Sequence, residues 1–470
     1  MTEPTPRPPT VPSRGKTSRR NLLKLAGMGA GAALMAPSLA KGVTGGLPDT
    51  ADAPAAGAAP FRVGQWLPSD HRALQQWLTE HIRKADADDT PLHPLLEEFK
   101  GLIEGDPALF MYFNQMFTQV PRKSPYDRDP TGKPQVRDYL HMLRLINAVL
   151  KTAPEYNRTG LVGFPINAIL DWPMGTPGGF AAFLNPRVNG ILKRILDEWA
   201  RFLGSERSLY VLNSSKNGWF GPDAREAMPG FEQDFRCDPA RPHHGFRSWD
   251  DFFTREFREG RRPVASPGDD AVLVNACESA PYRVAHGVRE RDRFWIKSQP
   301  YSLAHMLAGD DSVGRFVGGT IYQAFLSATS YHRWHSPVGG TVLRTRLIDG
   351  SYYAEALSEG FDPAGPNESQ GFITGVAARG LILIEADNPA IGLVGFLAVG
   401  MAEVSTCDIT VRPGQKVAKG DQLGMFHFGG STHCLIFRPG VKLDFDLHGQ
   451  KPGLNASNIP VRAAIATVRA

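Results

Sequence analysis

The sequence predicts an α+β protein: a helical N-terminal domain followed by a mainly antiparallel β domain with lipoyl-like barrel halves. Three observations predict it. Apolar residues recur at helical spacing up to about residue 245, and short β runs between glycines take over beyond about 270. A chain of 470 residues, 42% of them hydrophobic, is also long enough to bury a large core.

The helical stretch, residues 61–245, carries clear stripes. "SDHRALQQWLTEHI" sets Leu74, Trp77, Leu78 and Ile82 on one face. "VRDYLHMLRLINAVLK" does the same with Tyr139, Met142, Leu143, Ile146 and Leu150. "NPRVNGILKRILDEWARFLG" offers Asn185 as cap and Pro186 in the first turn. It then runs Val188, Ile191, Leu192, Ile195, Trp199 and Phe202 before closing at Gly204. These stripes read as core faces. The face of Leu95, Phe99 and Ile103, followed by "ALFMYF", could dock on a bilayer but fits a core better.

From 246 the texture changes. Ser248 and Asp251 read as a capping box for a short helix, with Pro263 beyond it. Runs such as "GGTIYQAFLSA", "RGLILIEA", "IGLVGFLAVG" and "HCLIF" then predict antiparallel strands. "RPGQKVAKGDQLGMF" and "HSPVGGTVLR" have the glycine-turn rhythm of lipoyl-type barrels.

The net charge of +4 belongs to the first forty residues, with six Lys/Arg and one acid; the remainder holds 46 basic and 47 acidic side chains. A near-neutral body gives no electrostatic reason to expect a nucleic-acid partner. Those forty residues read as a twin-arginine export signal. Arg19 and Arg20 precede the weakly apolar "LAGMGAGAALMA", and "SLA" ends at Ala40. Residues 41–60 read as a disordered Gly/Ala/Pro linker, and no later segment approaches a transmembrane span. Cys237, Cys277, Cys407 and Cys434 show no C-x-x-C spacing and read as small buried hydrophobes rather than a disulfide framework.

Three chemistries compete at "FHFGGSTHCLIF". Gly-Ser-Thr is ordinary turn composition, yet a serine beside glycine, the histidines of "YHRWH" and a distant acid could form a nucleophilic set. His332 and His335 are three apart, so in a strand they point oppositely. Metal ligation is disfavoured because no His-Glu-x-x-His or His-x-His occurs, and no metal is expected. A lipoyl carrier is disfavoured because "GGST" brings no lysine to the tip.

"FFTREFREGRRPV", "YHRWHSPVGG" and "GMFHFGGST", in that order and spacing, resemble the phosphatidylserine decarboxylases over roughly 246–437. "ILDWPMGTPGGFAAFLNPRVN" and "NGWFGP" resemble the soluble branch that includes fungal tryptophan decarboxylases, which act on free amino acids. The resemblance implies a pyruvoyl cofactor made from Ser431 by self-cleavage between Gly430 and Ser431, within a domain spanning 246–470. It implies His335 as the base of maturation, Glu278 as the acid that orients it, and His332 as the proton donor after decarboxylation through a Schiff base. Thr432 flanks the cofactor. Glu278 replaces the aspartate usual in the family, and His433 replaces an aliphatic residue. The implied substrate is a free, tryptophan-like amino acid or, alternatively, phosphatidylserine. The α and β pieces of one precursor would stay together, with a homodimer left open.

Overall fold

The computed structural model describes residues 62–63, 67–68, 72–120, 136–156, 165–292, 301–327, 329–356, 369–403, 406–453 and 455–469. Residues 1–60, read above as an export signal and a linker, lie outside them.

The helical part is built from short amphipathic helices with proline in the first turn, among them Pro94–Gly105, Pro107–Thr118, Pro177–Phe183 and Pro186–Leu203. Proline suits that position because the first-turn N–H has no intrahelical acceptor to lose. Side-chain caps complete the entries. Asp106 accepts from the N–H groups of Ala108 and Leu109, at 2.9 and 3.2 Å, and Asn185 accepts from Arg187 at 2.9 Å. On the long helix Val188, Ile191, Leu192, Ile195 and Trp199 are buried, whereas Leu203 rather than Phe202 completes the buried stripe. Leu203 falls one turn on from Trp199, which the 3.6-residue period favours. Gly204 closes the helix in a right-handed conformation (φ −79°). Phe99, Ile103, Leu109 and Phe113 are fully buried, so this face is core. Phe110 and Met111 between them stay 45% exposed.

Ser248 caps the helix Trp249–Phe253, accepting from Asp251 N–H at 3.0 Å. The reciprocal bond is displaced by one residue, because the Asp251 carboxylate takes the Arg247 N–H at 2.9 Å. The helical core continues through this helix: Trp219 meets Trp249 and Phe252 at 5.0 and 5.3 Å between ring centroids.

Fifteen strands are described. After a two-stranded pair, β1 (Arg62–Val63) and β2 (Leu67–Pro68), come β3 (Val272–Val274), β4 (Ala280–His286), β5 (Thr320–Leu326), β6 (Arg333–His335) and β7 (Gly340–Ile348). Then follow β8 (Arg379–Ala386), β9 (Leu393–Met401), β10 (Cys407–Ile409), β11 (Lys416–Val417), β12 (Gln422–Phe426), β13 (Gly430–Phe437), β14 (Lys442–Phe445) and β15 (Ala464–Arg469). A seven-stranded antiparallel sheet has the order β11-β7-β8-β9-β13-β5-β4; two three-stranded sheets have the orders β10-β12-β6 and β14-β15-β3. The two stretches with lipoyl-like rhythm are divided between sheets. β11 extends the large sheet by pairing with β7, and β12 pairs with β6. Two separate barrel halves are not discernible in that pairing.

The large sheet is covered on both faces, which explains why its central strands read as continuous apolar runs. Alternation sorts β13. Leu435 and Phe437 join the core shared with the small sheets, while Cys434 and Ile436 join the core under the helices Leu303–Met306 and Gln370–Val376. By the same period of two, Ser431 and His433 lie on the small-sheet side and Thr432 on the helix side. All four cysteines are free thiols, and three are buried.

Candidate active site

Ser431 sits at the start of β13, where Gly430 pairs with Met401 and Ser431 pairs with Gly400 on β9 and Leu326 on β5. The residue before this pair, Gly429, has φ +149°, a conformation that suits glycine. Ser431 is fully buried and its Oγ has no hydrogen-bond partner. An orphaned buried hydroxyl costs roughly 1–3 kcal/mol, so a turn serine placed for stability would not be left this way. Its neighbour is tied down instead. Thr432 Oγ1 donates to the Ala324 carbonyl at 2.9 Å and accepts from Gln323 Nε2 at 3.1 Å. Gln323 Oε1 in turn accepts from the Tyr301 hydroxyl at 2.5 Å.

The two histidines of "YHRWH" part company. Trp334, between them, packs on Phe396 and Phe426 at 5.5 and 4.8 Å, toward the large sheet. His332, two residues earlier and just outside β6, meets the helical core instead. Its ring stacks on Phe253 at 3.9 Å, and Phe253 meets Phe428, three residues before Ser431, at 5.5 Å. Both ring nitrogens of His332 lack a hydrogen-bond partner. Burial, with the Arg255 cation, holds it well below the usual imidazole pKa.

His335 points the other way. Its Nδ1 lies 2.9 Å from the Gly420 carbonyl and its Nε2 lies 2.9 Å from the Tyr331 hydroxyl. A proton on Nδ1 satisfies the carbonyl, which leaves the Nε2 lone pair to accept from Tyr331. Burial, with Arg462 at 3.2 Å from Nδ1, depresses its pKa to about 3.

Glu278 does not orient His335 here. Its carboxylate takes the Arg262 guanidinium, at 2.7 Å to Nη2, and the Val461 N–H at 2.8 Å. The Gly420 carbonyl occupies the place expected for the acid. His433 is fully buried between Tyr322 and Phe396, with centroids at 6.1 and 5.9 Å, and burial lowers its pKa to about 3. It therefore faces the same layer as Ser431 rather than away from it.

Two family models match the chain, both described as phosphatidylserine decarboxylase, one over residues 93–228 and the other over 249–458. An L-tryptophan decarboxylase of Psilocybe cyanescens is 36% identical over 436 residues, covering 87% of this chain and 95% of its own. The chain belongs to the phosphatidylserine decarboxylase family. Decarboxylase iboD of Amanita muscaria is 44% identical over 302 residues, 60% of this chain and 86% of its own. A phosphatidylserine decarboxylase proenzyme of Chlamydia felis is 33% identical over 243 residues, 49% of this chain and 74% of its own. The protein is thus a carboxy-lyase, and the orphaned serine behind a glycine pair fits the pyruvoyl group that the family implies.

One residue of this decarboxylase escaped the sequence reading. Glu403, just past β9, is fully buried and accepts from Asn167 N–H at 2.9 Å and from the Tyr353 hydroxyl at 3.2 Å. Burial raises its pKa from an ordinary 4.5 to about 8. Its one sequence signal is a lone acid ending the apolar run "IGLVGFLAVGMAE".

Proposed function

We propose that the protein is a pyruvoyl-dependent decarboxylase that cuts itself between Gly430 and Ser431 and removes the α-carboxylate of a free, tryptophan-like L-amino acid. One observation carries the substrate class. Similarity to L-tryptophan decarboxylases runs along 87% of the chain, helical part included, whereas the phosphatidylserine decarboxylase proenzyme of Chlamydia felis matches 49% of it.

Maturation needs a buried nucleophile, a strain-tolerant carbonyl and a base. Ser431 Oγ attacks the Gly430 carbonyl carbon, the Gly430–Ser431 C–N bond breaks, and an ester forms with a free amine on Ser431. Removal of the Ser431 α-proton breaks the Cβ–O bond, releasing the Gly430 carboxylate and leaving dehydroalanine. Water then replaces the nitrogen, which departs as ammonia. Once made, the pyruvoyl group supplies a ketone for the substrate amine and an adjacent carbonyl that takes up the electron pair left when CO2 departs.

The chain's own residues do the rest. Thr432 and Gln323 fix the backbone after the cut. His332, which the resemblance implies as proton donor, stacks on Phe253, itself against Phe428 three residues before Ser431, and would have to be protonated before it returns a proton. His335 serves as base for maturation only if the Tyr331 hydroxyl yields or relays, since that hydroxyl occupies its lone pair. Glu278 acts at a distance, by fixing Arg262 and Val461.

A second reading, phosphatidylserine as substrate, draws support from the exposed Phe110 and Met111, which could rest on a lipid surface. Purified enzyme assayed for CO2 release from tryptophan, phenylalanine and phosphatidylserine separates the two. The leading reading expects release from the amino acids and none from the lipid; release from the lipid alone would overturn it. Ser431→Ala should leave one uncut, inactive chain.

A further inference from the structure

Glu278 is drawn off to Arg262, and a cation stands beside His335 instead. Arg462 Nη2 lies 3.2 Å from His335 Nδ1, and Arg462 Nε donates to the Gly420 carbonyl at 3.0 Å. The same carbonyl lies 2.9 Å from Nδ1. With the proton on Nδ1, one oxygen accepts from both side chains. A neutral ring tolerates that arrangement, whereas an imidazolium would set a second positive charge beside the guanidinium.

Arg462 is held there by its backbone. Its φ is +67°, a costly conformation for a residue with a side chain, and three bonds enforce it. Val461 N–H donates to Glu278 at 2.8 Å, Arg462 N–H to the Asn275 carbonyl at 2.9 Å, and Ala265 N–H to the Arg462 carbonyl at 3.0 Å. Glu278 thus helps to set the cation in place. No carboxylate lies within ion-pair distance of Arg462 among the described residues. The other charged groups around the ring are matched. Arg333 lies 3.4 Å from Glu256, and the Asp421 carboxylate takes the Ala418 N–H at 2.8 Å. Tyr331 and Cys277, both buried, keep their protons.

We propose that Arg462 is a brake on self-cleavage, acting through His335: its cation opposes the positive charge that the ring gains when it takes the Ser431 proton. The inference rests on His335 being the base of maturation, as proposed above. The proton leaves Ser431 Oγ for His335 Nε2, directly or through Tyr331, as Oγ bonds to the Gly430 carbonyl carbon. The ring then carries protons on both nitrogens, against a guanidinium 3.2 Å away. Base and brake lie on opposite sides of the proposed cut, His335 before it and Arg462 after it.

The test follows full-length precursor made by in vitro translation, on denaturing gels, at a temperature where the wild type takes minutes to cut. Arg462→Gln and Arg462→Met, which remove the charge, should cut about tenfold faster or more. Arg462→Lys, which keeps the charge and loses the fork, should stay within about threefold of the wild type. A merely structural arginine predicts the reverse order, with the neutral variants slowest. Neutral variants that fold, judged by thermal unfolding, and cut no faster than the wild type overturn the brake. If neither folds, Arg462→Lys decides, because a rate outside its expected range overturns the proposal. His335→Gln separates this claim from the one beneath it. Should that variant cut at the wild-type rate, the base reading fails and the brake with it. Should it stall while the Arg462 series shows no order by charge, only the brake fails.

Discussion

Four ionisable side chains near the cut are buried so that their charged forms are disfavoured: Glu403 by a raised pKa, and His332, His335 and His433 by lowered ones. The two kinds have opposite pH signatures. Glu403 contributes stability that is fully present below 4.5 and is lost as pH rises toward about 8. Glu403→Gln removes that loss. Between about pH 6 and pH 8 the wild type should lose roughly 1–3 kcal/mol more than the variant in denaturant titrations, from ~1.4 kcal/mol per pH unit. Equal losses would show that Glu403 is not held neutral.

Tyr331 offers a second test at this scale. If His335 takes the Ser431 proton directly, Tyr331→Phe frees its lone pair and cutting proceeds at least as fast as in the wild type. If the hydroxyl relays, Tyr331→Phe slows cutting by about tenfold or more, as loss of a general base does. A time course of precursor by denaturing gel distinguishes the two. Ser431, His332 and His335 were singled out by the family resemblance, since spacing alone left a turn and structural histidines equally open. The partners of Glu278 were not, because Arg262 and Val461 reach it only through the folded backbone.

Among the elements, β13 decides most. Its apolar alternation was legible, and its central place between β9 and β5 follows from a register that spans seven pairs on one side and eight on the other. Sequence alone could not order those strands, since several buried runs share the same composition. At its entry, Gly429→Ala forces a side chain onto φ +149°. The variant should fold with a loss of about 1–3 kcal/mol and cut more slowly; normal stability and cutting would show that this glycine is not required. The helix entries were legible because proline and capping residues act locally. The end of the Pro186–Leu203 stripe was not, since either Phe202 or Leu203 fits a helical period until neighbours choose.

For the molecule as a whole, the proposed cut between Gly430 and Ser431 would leave β13, β14 and β15 on the short piece, woven into two sheets. The two pieces should therefore co-elute in native buffer and separate only on denaturation; free exchange of the short piece under native conditions would contradict the topology. Acid should unfold the whole. An unfolded histidine takes a proton near 6.5 whereas His335 and His433 resist until about 3, so each costs ~1.4 kcal/mol per pH unit below 6.5. We propose that the chain is exported by the twin-arginine route after folding, in which case Arg19→Lys with Arg20→Lys should strand it inside the cell.

The central claim is that Ser431 becomes the cofactor, and intact mass of active, denatured enzyme tests it most directly. The account predicts a long chain ending at Gly430 and a 40-residue chain whose first residue is pyruvoyl instead of serine. An active preparation containing only the uncut chain, or a short chain that begins with an intact serine, would contradict it.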